Sequence, residues 1–147
     1  MRWRFVDKVD SLTPWQEARG RKAVSLEEYS LLLPQGREGE FPESLCLESC
    51  VALVRWLVAA SSGFETTCVL SEVQEFAFTG RMTMGDVLEM KATVIRRNEH
   101  SLVAECSVHC RNVAVAQGRI AVTFLPLAGA FDEELLSGTW KEIYAPA

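Results

Sequence analysis

The stretch from Leu45 to Val58 constrains this chain more than any other. Leu45, Cys46, Ser49, Val51, Leu53, Val54, Trp56, Leu57 and Val58 leave little polar surface, and only Glu48 and Arg55 interrupt the run with charge. Such a segment reads as a helix that is apolar almost all round and must be buried on most sides. It is expected to run from about Glu43, behind Pro42, to Ser62, with Ser61-Ser62-Gly63 as its stop. At 1.5 Å per residue it would be roughly 30 Å long, enough to cross a whole sheet. Glu48 and Arg55 stand seven apart, two turns, and so share roughly one face.

What surrounds the helix reads as strand. Met1 to Val9 has a strand-like pattern, closed by Leu12-Thr13-Pro14, and a second extended piece is expected from Gln16 to Leu26. Leu31 to Gly39 reads as a loop containing Pro34, Gly36 and Gly39. After the helix come four strands: Thr66 to Thr79, Val87 to Arg97, Leu102 to Cys110, and Val113 to Phe124. In the second of these Leu88, Met90, Ala92 and Val94 alternate with Glu89, Lys91 and Thr93. Turns are expected at Gly85-Asp86, Asn98-Glu99-His100 and Arg111-Asn112, and Pro126 closes the series. Residues 128–147 form a C-terminal extension, with Asp132 as an N-cap and Leu135, Leu136 and Trp140 at helical spacing. The expectation is a single α+β domain over residues 1–147, in which a curved antiparallel sheet wraps a long helix.

Composition narrows the partners. Fifteen basic and twenty acidic residues give a net charge of −5, the wrong sign for a surface that grips nucleic acid throughout. The five cysteines, at 46, 50, 68, 106 and 110, form no CxxC pair and sit among apolar residues, as free buried thiols do in a reducing cytosol. No zinc site or cofactor is expected from them. Met1-Arg2-Trp3-Arg4 lacks the apolar core of a signal peptide, and the apolar runs read as too broken to span a bilayer, so a cytoplasmic protein is expected.

Several segments, in order, resemble the β-hydroxyacyl-acyl-carrier-protein dehydratases, which have the hotdog fold. Phe5-Val6-Asp7-Lys8-Val9 is similar to their opening strand. Pro42-Glu43-Ser44-Leu45-Cys46-Leu47-Glu48-Ser49 is similar to the segment in which a helix begins and presents a catalytic glutamate. Phe76-Ala77-Phe78 through Gly85-Asp86-Val87-Leu88, and the strands onward to Phe124, resemble the rest. The resemblance spans Met1 to about Leu127. It implies acyl thioester chemistry in fatty acid or related synthesis, as a hydro-lyase acting on a group carried by acyl carrier protein or coenzyme A. It also implies a homodimer or a dimer of dimers.

The departure falls on the catalytic histidine. The family's GHFPG loop corresponds to Gln35-Gly36-Arg37-Glu38-Gly39-Glu40-Phe41-Pro42. Aligning Gly36 puts Arg37 at the histidine position, and aligning Phe41-Pro42 puts Glu40 there. Arginine stays protonated and cannot act as a base, whereas a glutamate in an apolar pocket can. His100 falls in a hairpin turn and His109 on the polar face of a strand. The candidate catalytic residues are therefore Glu48, Glu40 and Arg37, with Glu48 expected either to turn its buried side toward an acyl tunnel or, in the plainer reading, to face solvent or a dimer seam or to pair with Arg55; Phe41, Phe76, Phe78 and Met84 are candidates for lining the substrate pocket. With an acid and no visible base, the chain reads as a weak dehydratase alone, as a hotdog thioesterase whose helix carboxylate activates water, or as a non-catalytic binder or partner of a histidine-bearing hotdog subunit. Arg2, Arg4, Lys8, Arg19, Arg21 and Lys22 suggest either a solvated sheet edge or a basic patch for a phosphate or an acidic carrier protein.

Overall fold

In the computed structural model, residues 5–25, 40–128, 133–144 and 146 are described. Strands β1 (Lys8–Thr13) and β2 (Glu17–Ala23) precede helix α1 (Glu43–Ser61). Four longer strands follow: β3 (Thr66–Phe78), β4 (Val87–Arg97), β5 (Ser101–Cys110) and β6 (Val113–Pro126). Helix α2 (Glu133–Ile143) closes the chain. The strands form one antiparallel sheet in the order β1-β2-β4-β5-β6-β3, so β1 and β3 are its edges.

Alternation in the strands decides which face of the sheet meets α1. Leu102, Ala104, Cys106, Val108 and Cys110 of β5 are buried, as are Leu88, Met90 and Ala92 of β4, while their neighbours are wholly or partly accessible. The hairpins are set by local chemistry. Asn98 Oδ1 accepts from the backbone N–H groups of His100 and Ser101, and Arg111 and Asn112 both take positive φ, as a tight two-residue hairpin turn requires.

Helix α1 lies against this apolar face with Cys46, Ser49, Cys50, Val51, Leu53, Val54, Leu57, Val58 and Ala59 buried. Gly20 permits the close approach to β2, since a Cβ there would stand 2.8 Å from the Lys8 carbonyl oxygen and 3.0 Å from Leu53 Cδ1. Gly63, at φ +65°, ends the helix where the sequence places its stop. By length and apolarity α1 could cross a membrane: 19 residues with a mean hydropathy of 1.5. That corrects the expectation that every apolar run is too broken to do so. Burial under the sheet accounts for the apolarity, because a helix covered on most sides has few positions left for charge.

The N-terminal strand ends at Thr13, where Leu12-Thr13-Pro14 is expected to close it, but among the described residues it begins only at Lys8, and a bulge interrupts its pairing between Val9 and Ser11. Strand β2 is shorter at its far end than expected. The Leu31–Gly39 loop, Asp132 as N-cap, Arg2 and Arg4 lie outside the described residues.

Candidate functional site

One side of α1 is only partly covered. Glu48, Ala52, Arg55, Trp56 and Ala59 follow helical spacing and form one stripe. Along it exposure falls: Glu48 is exposed, Ala52, Arg55 and Trp56 are half-buried, and Ala59 is buried. Glu48 is thus not desolvated within the single chain, contrary to the expectation from an all-apolar helix. Among the described residues no hydrogen bond or ion pair reaches it. Nor does Arg55 pair with it two turns away; Arg55 Nε instead donates to the Cys68 carbonyl at 3.3 Å.

The C-terminal half of the stripe is roofed by α2. Trp140 stacks between Trp56 and Tyr144, with ring centroids 5.7 and 4.7 Å away, and meets Phe64 edge-on at 6.3 Å. Aromatic packing of this kind adds roughly 0.5–1.5 kcal/mol per pair beyond burial. Ile143 is buried, and Tyr144 makes a parallel bridge to Val9, which ties the end of α2 to the sheet edge. Between α1 and α2 remains a cavity of about 180 Å³, lined by Ala52, Arg55, Trp56, Ala59, Thr67, Leu127 and Leu136.

The segment entering α1 is held by the turn before β4. Phe41 is buried, and its N–H donates to the Met82 carbonyl at 2.7 Å. Glu40 bridges to Thr83, and its Oε1 lies 3.3 Å from Arg81 Nε. Thr83 in turn donates its N–H and hydroxyl to Asp86 Oδ2 at 2.8 and 3.0 Å. Burial pushes the Asp86 carboxyl up, but these bonds, one from Cys110 and the Arg111 guanidinium together hold it below the ordinary carboxylate range. Glu40 is therefore engaged in the frame beside the helix start, and Arg37 lies outside the described residues.

Of the residues expected to line a pocket, Phe41 belongs to the core. Phe76 and Phe78 are half-buried on β3 with ring centroids 5.3 Å apart, and Phe76 covers Gly118 of β6. Met84 is nearly half exposed in the turn before β4. None of the four borders the cavity at α1. The residues that do were not singled out from sequence. The spacing of Ala52, Arg55, Trp56 and Ala59 after Glu48 was a legible signal; the contributions of Thr67, Leu127 and Leu136 were not.

The two histidines stand away from α1. His109 pairs across strands with Glu89 on the side of β5 opposite its buried residues, and His100 is exposed in the β4–β5 turn. The front-strand cations are largely matched by acids. Arg19 meets Glu17 at 3.2 Å, Arg21 meets Asp10 at 2.9 Å, and Lys22 is buried 3.9 Å from Asp7. Of the two readings of that cluster, pairing on the sheet favours the structural one.

All five cysteines are free and buried. Hydrogen bonding with Cys106 and Cys46, and then burial, push the Cys50 thiol well above its ordinary range; burial pushes Cys68 up to about 11 against the opposing Arg55 cation. Thiols held protonated in this way are poor nucleophiles. Among the described residues no cluster of His, Cys, Asp and Glu has the arrangement of a metal site.

No family model matches the chain, and no curated protein matches its sequence. Solved structures do match its fold. The Streptococcus mutans protein smu.793, solved bound to acetyl-CoA, superposes with a TM-score of 0.66 at 12% identity, over 81% of this chain and 88% of that one. A hypothetical thioesterase from Streptococcus pneumoniae TIGR4, solved with coenzyme A, gives 0.64 at 11%, over 81% and 85%. A hot-dog-like protein from Thermanaerovibrio acidaminovorans gives 0.66 at 16%, over 88% and 92%. The chain has the hotdog fold: one long helix packed against a curved, six-stranded antiparallel sheet.

Proposed function

We propose that this protein is an acyl thioester hydrolase, with coenzyme A thioesters as substrates and Glu48 as its acid-base group. The supporting observation is the position of Glu48: an exposed carboxylate without a partner among the described residues, on the stripe of α1 that leads into an apolar cavity. Hydrolysis needs one such group. The carboxylate takes a proton from water as its oxygen adds to the thioester carbonyl, and the proton goes to the sulfur as the C–S bond breaks. Dehydration of a β-hydroxyacyl thioester needs two groups, a base at C2 and an acid at the 3-hydroxyl. His109 lies on the face of β5 opposite its buried residues, His100 is exposed in the β4–β5 turn, and Glu40 is engaged with Arg81. Solved hotdog structures holding coenzyme A or acetyl-CoA favour the same substrate class over a carrier protein.

We propose further that two copies associate through β3. This edge strand exposes Val69, Leu70 and Val73, and an uncovered apolar edge is a site for pairing with another chain. Light scattering at micromolar concentration is expected to return a dimer or a multiple of it; a 16.4 kDa monomer would remove this part of the proposal. Five free, buried thiols suit a reducing, cytoplasmic setting.

The test is a panel of coenzyme A thioesters followed by thiol release and, in parallel, by enoyl-thioester formation from β-hydroxyacyl substrates. Thiol release at an enzymatic rate is the expected result. Enoyl formation without thiol release would return the assignment to a dehydratase, with a base still to be found.

A further inference from the structure

We infer that the cavity between α1 and α2 is the acyl pocket of this hydrolase and that it selects compact apolar acyl groups of about six carbons. The inference deepens the hydrolase reading and rests on it. Its first ground is direction. The half-buried lining residues, Ala52, Arg55 and Trp56, lie toward Glu48, whereas Ala59, Thr67 and Leu127 are 4%, 3% and 1% exposed. The cavity is thus open at the end nearer the carboxylate and closed at the other. Ala52 follows Glu48 by one turn, about 6 Å along the helix axis, and Ala59 lies about 10 Å beyond Ala52. A thioester carbonyl beside Glu48 would therefore direct its acyl chain along the stripe toward Ala59.

The second ground is size and chemistry. Protein interiors ordinarily close such gaps, and an apolar cavity of about 150 Å³ accepts benzene. At about 180 Å³ this one matches a single ring or a chain of about six carbons. Its walls are alanine, leucine and indole, with the Arg55 side chain held in place through Nε on the Cys68 carbonyl. Two small residues, Ala52 and Ala59, leave the space, and Leu136 on α2 closes it from above.

The experiment compares kcat/KM for acetyl-, hexanoyl-, benzoyl- and palmitoyl-CoA in the wild type and in two variants that fill the cavity from opposite sides, Ala52→Leu and Leu136→Trp. Each methylene that gains burial is worth roughly a fourfold change in kcat/KM, so hexanoyl-CoA should exceed acetyl-CoA by about two orders of magnitude. Palmitoyl-CoA should be disfavoured. Each folded variant should lower the hexanoyl-to-acetyl ratio at least roughly tenfold; using two, with thermal melts, keeps the test open if one fails to fold. A flat profile, or one that rises to palmitoyl-CoA and ignores both variants, overturns the pocket. In parallel, the non-hydrolysable thioether S-hexyl-coenzyme A is titrated against the intrinsic fluorescence of the four tryptophans, of which Trp56 lines the cavity and Trp140 stacks on it. Saturable quenching that both variants weaken, without hydrolysis of any thioester, would leave the pocket standing and remove the hydrolase reading. Neither quenching nor hydrolysis would overturn both.

Discussion

Replacing Glu48 with glutamine separates a functional carboxylate from a structural one. The side chain is exposed and has no hydrogen bond or ion pair among the described residues. It is also the sixth residue of α1, beyond the first turn in which a negative charge gains most from the helix dipole. Glutamine has nearly the same shape and helix propensity. Surface changes of this kind stay within about 0.5 kcal/mol, which in a domain of this size is a Tm shift of about 2 °C or less. Loss of a general base, by contrast, typically lowers the rate by about 10²- to 10⁴-fold. Glu48→Gln should therefore leave the melting curve in place and reduce thioester hydrolysis by at least about a hundredfold. Glu43→Gln, at an exposed position in the first turn, should leave hydrolysis unchanged and lower Tm by no more than a few degrees, through loss of about 0.3–1 kcal/mol of helix-dipole interaction. The measurements are differential scanning fluorimetry and thiol release from the preferred coenzyme A thioester. A variant that keeps its activity, or a melting temperature lowered by several degrees, would refute the reasoning.

Three further outcomes follow from the fold. Gly118→Ala should lower Tm by several degrees, because its Cβ would overlap Phe76 Cα and force β3 and β6 apart; overpacking of this sort costs about 1–3 kcal/mol, and calorimetry reads it. The Cys68 thiol is protonated in the folded state up to about pH 11 from an ordinary value of 9.0, so its contribution is complete below pH 9 and is lost as pH rises toward 11. In denaturant titrations Cys68→Ala should reduce the alkaline loss of stability by on the order of 2–3 kcal/mol, leaving the share of Cys50, whose thiol is also pushed up. Asp86 has the opposite sign: its lowered folded-state value stabilises the fold above the ordinary carboxylate range, and that contribution is lost as pH falls through the folded value. Asp86→Ala should flatten the acid limb of the stability profile and speed amide exchange at Phe41, whose partner Met82 lies in the same turn.

Where one period held along a segment, its place in the fold was legible. Strand β4 matches its expected bounds because alternation runs unbroken from Leu88 to Val94, and α1 ends at Ser61, just before Gly63, because that glycine takes the left-handed conformation a helix stop favours. β1 stops ahead of its expected proline but begins, among the described residues, only at Lys8, and a bulge breaks its alternation after Val9. The site divides in the same way. Glu48 stood out as a charge within an apolar run, but its exposure did not, because periodicity cannot distinguish a helix covered by one sheet from one covered on two sides. The pairing of Arg21 with Asp10, and of Lys91 with Glu17, depends on strand neighbours that only the register supplies, so the linear sequence does not show which of the described cations meet acids.

The apolarity of α1 is shared between two coverings, and this explains why one charge is tolerated where it is. The sheet buries one side along the whole length, from Cys46 to Ala59. On the other side, α2 and its Trp140 stack reach only the C-terminal half, around Trp56. Arg55, near the edge of that cover, needs an acceptor for its Nε and finds the Cys68 carbonyl. Glu48, a turn or more before it, needs none because water reaches it. Had α2 extended over that turn, a carboxylate there would have required a partner or cost several kcal/mol. The boundary of α2 thus leaves open the turn that carries the carboxylate, and on α1 the half-buried lining residues of the cavity, Ala52, Arg55 and Trp56, lie on the side of that turn.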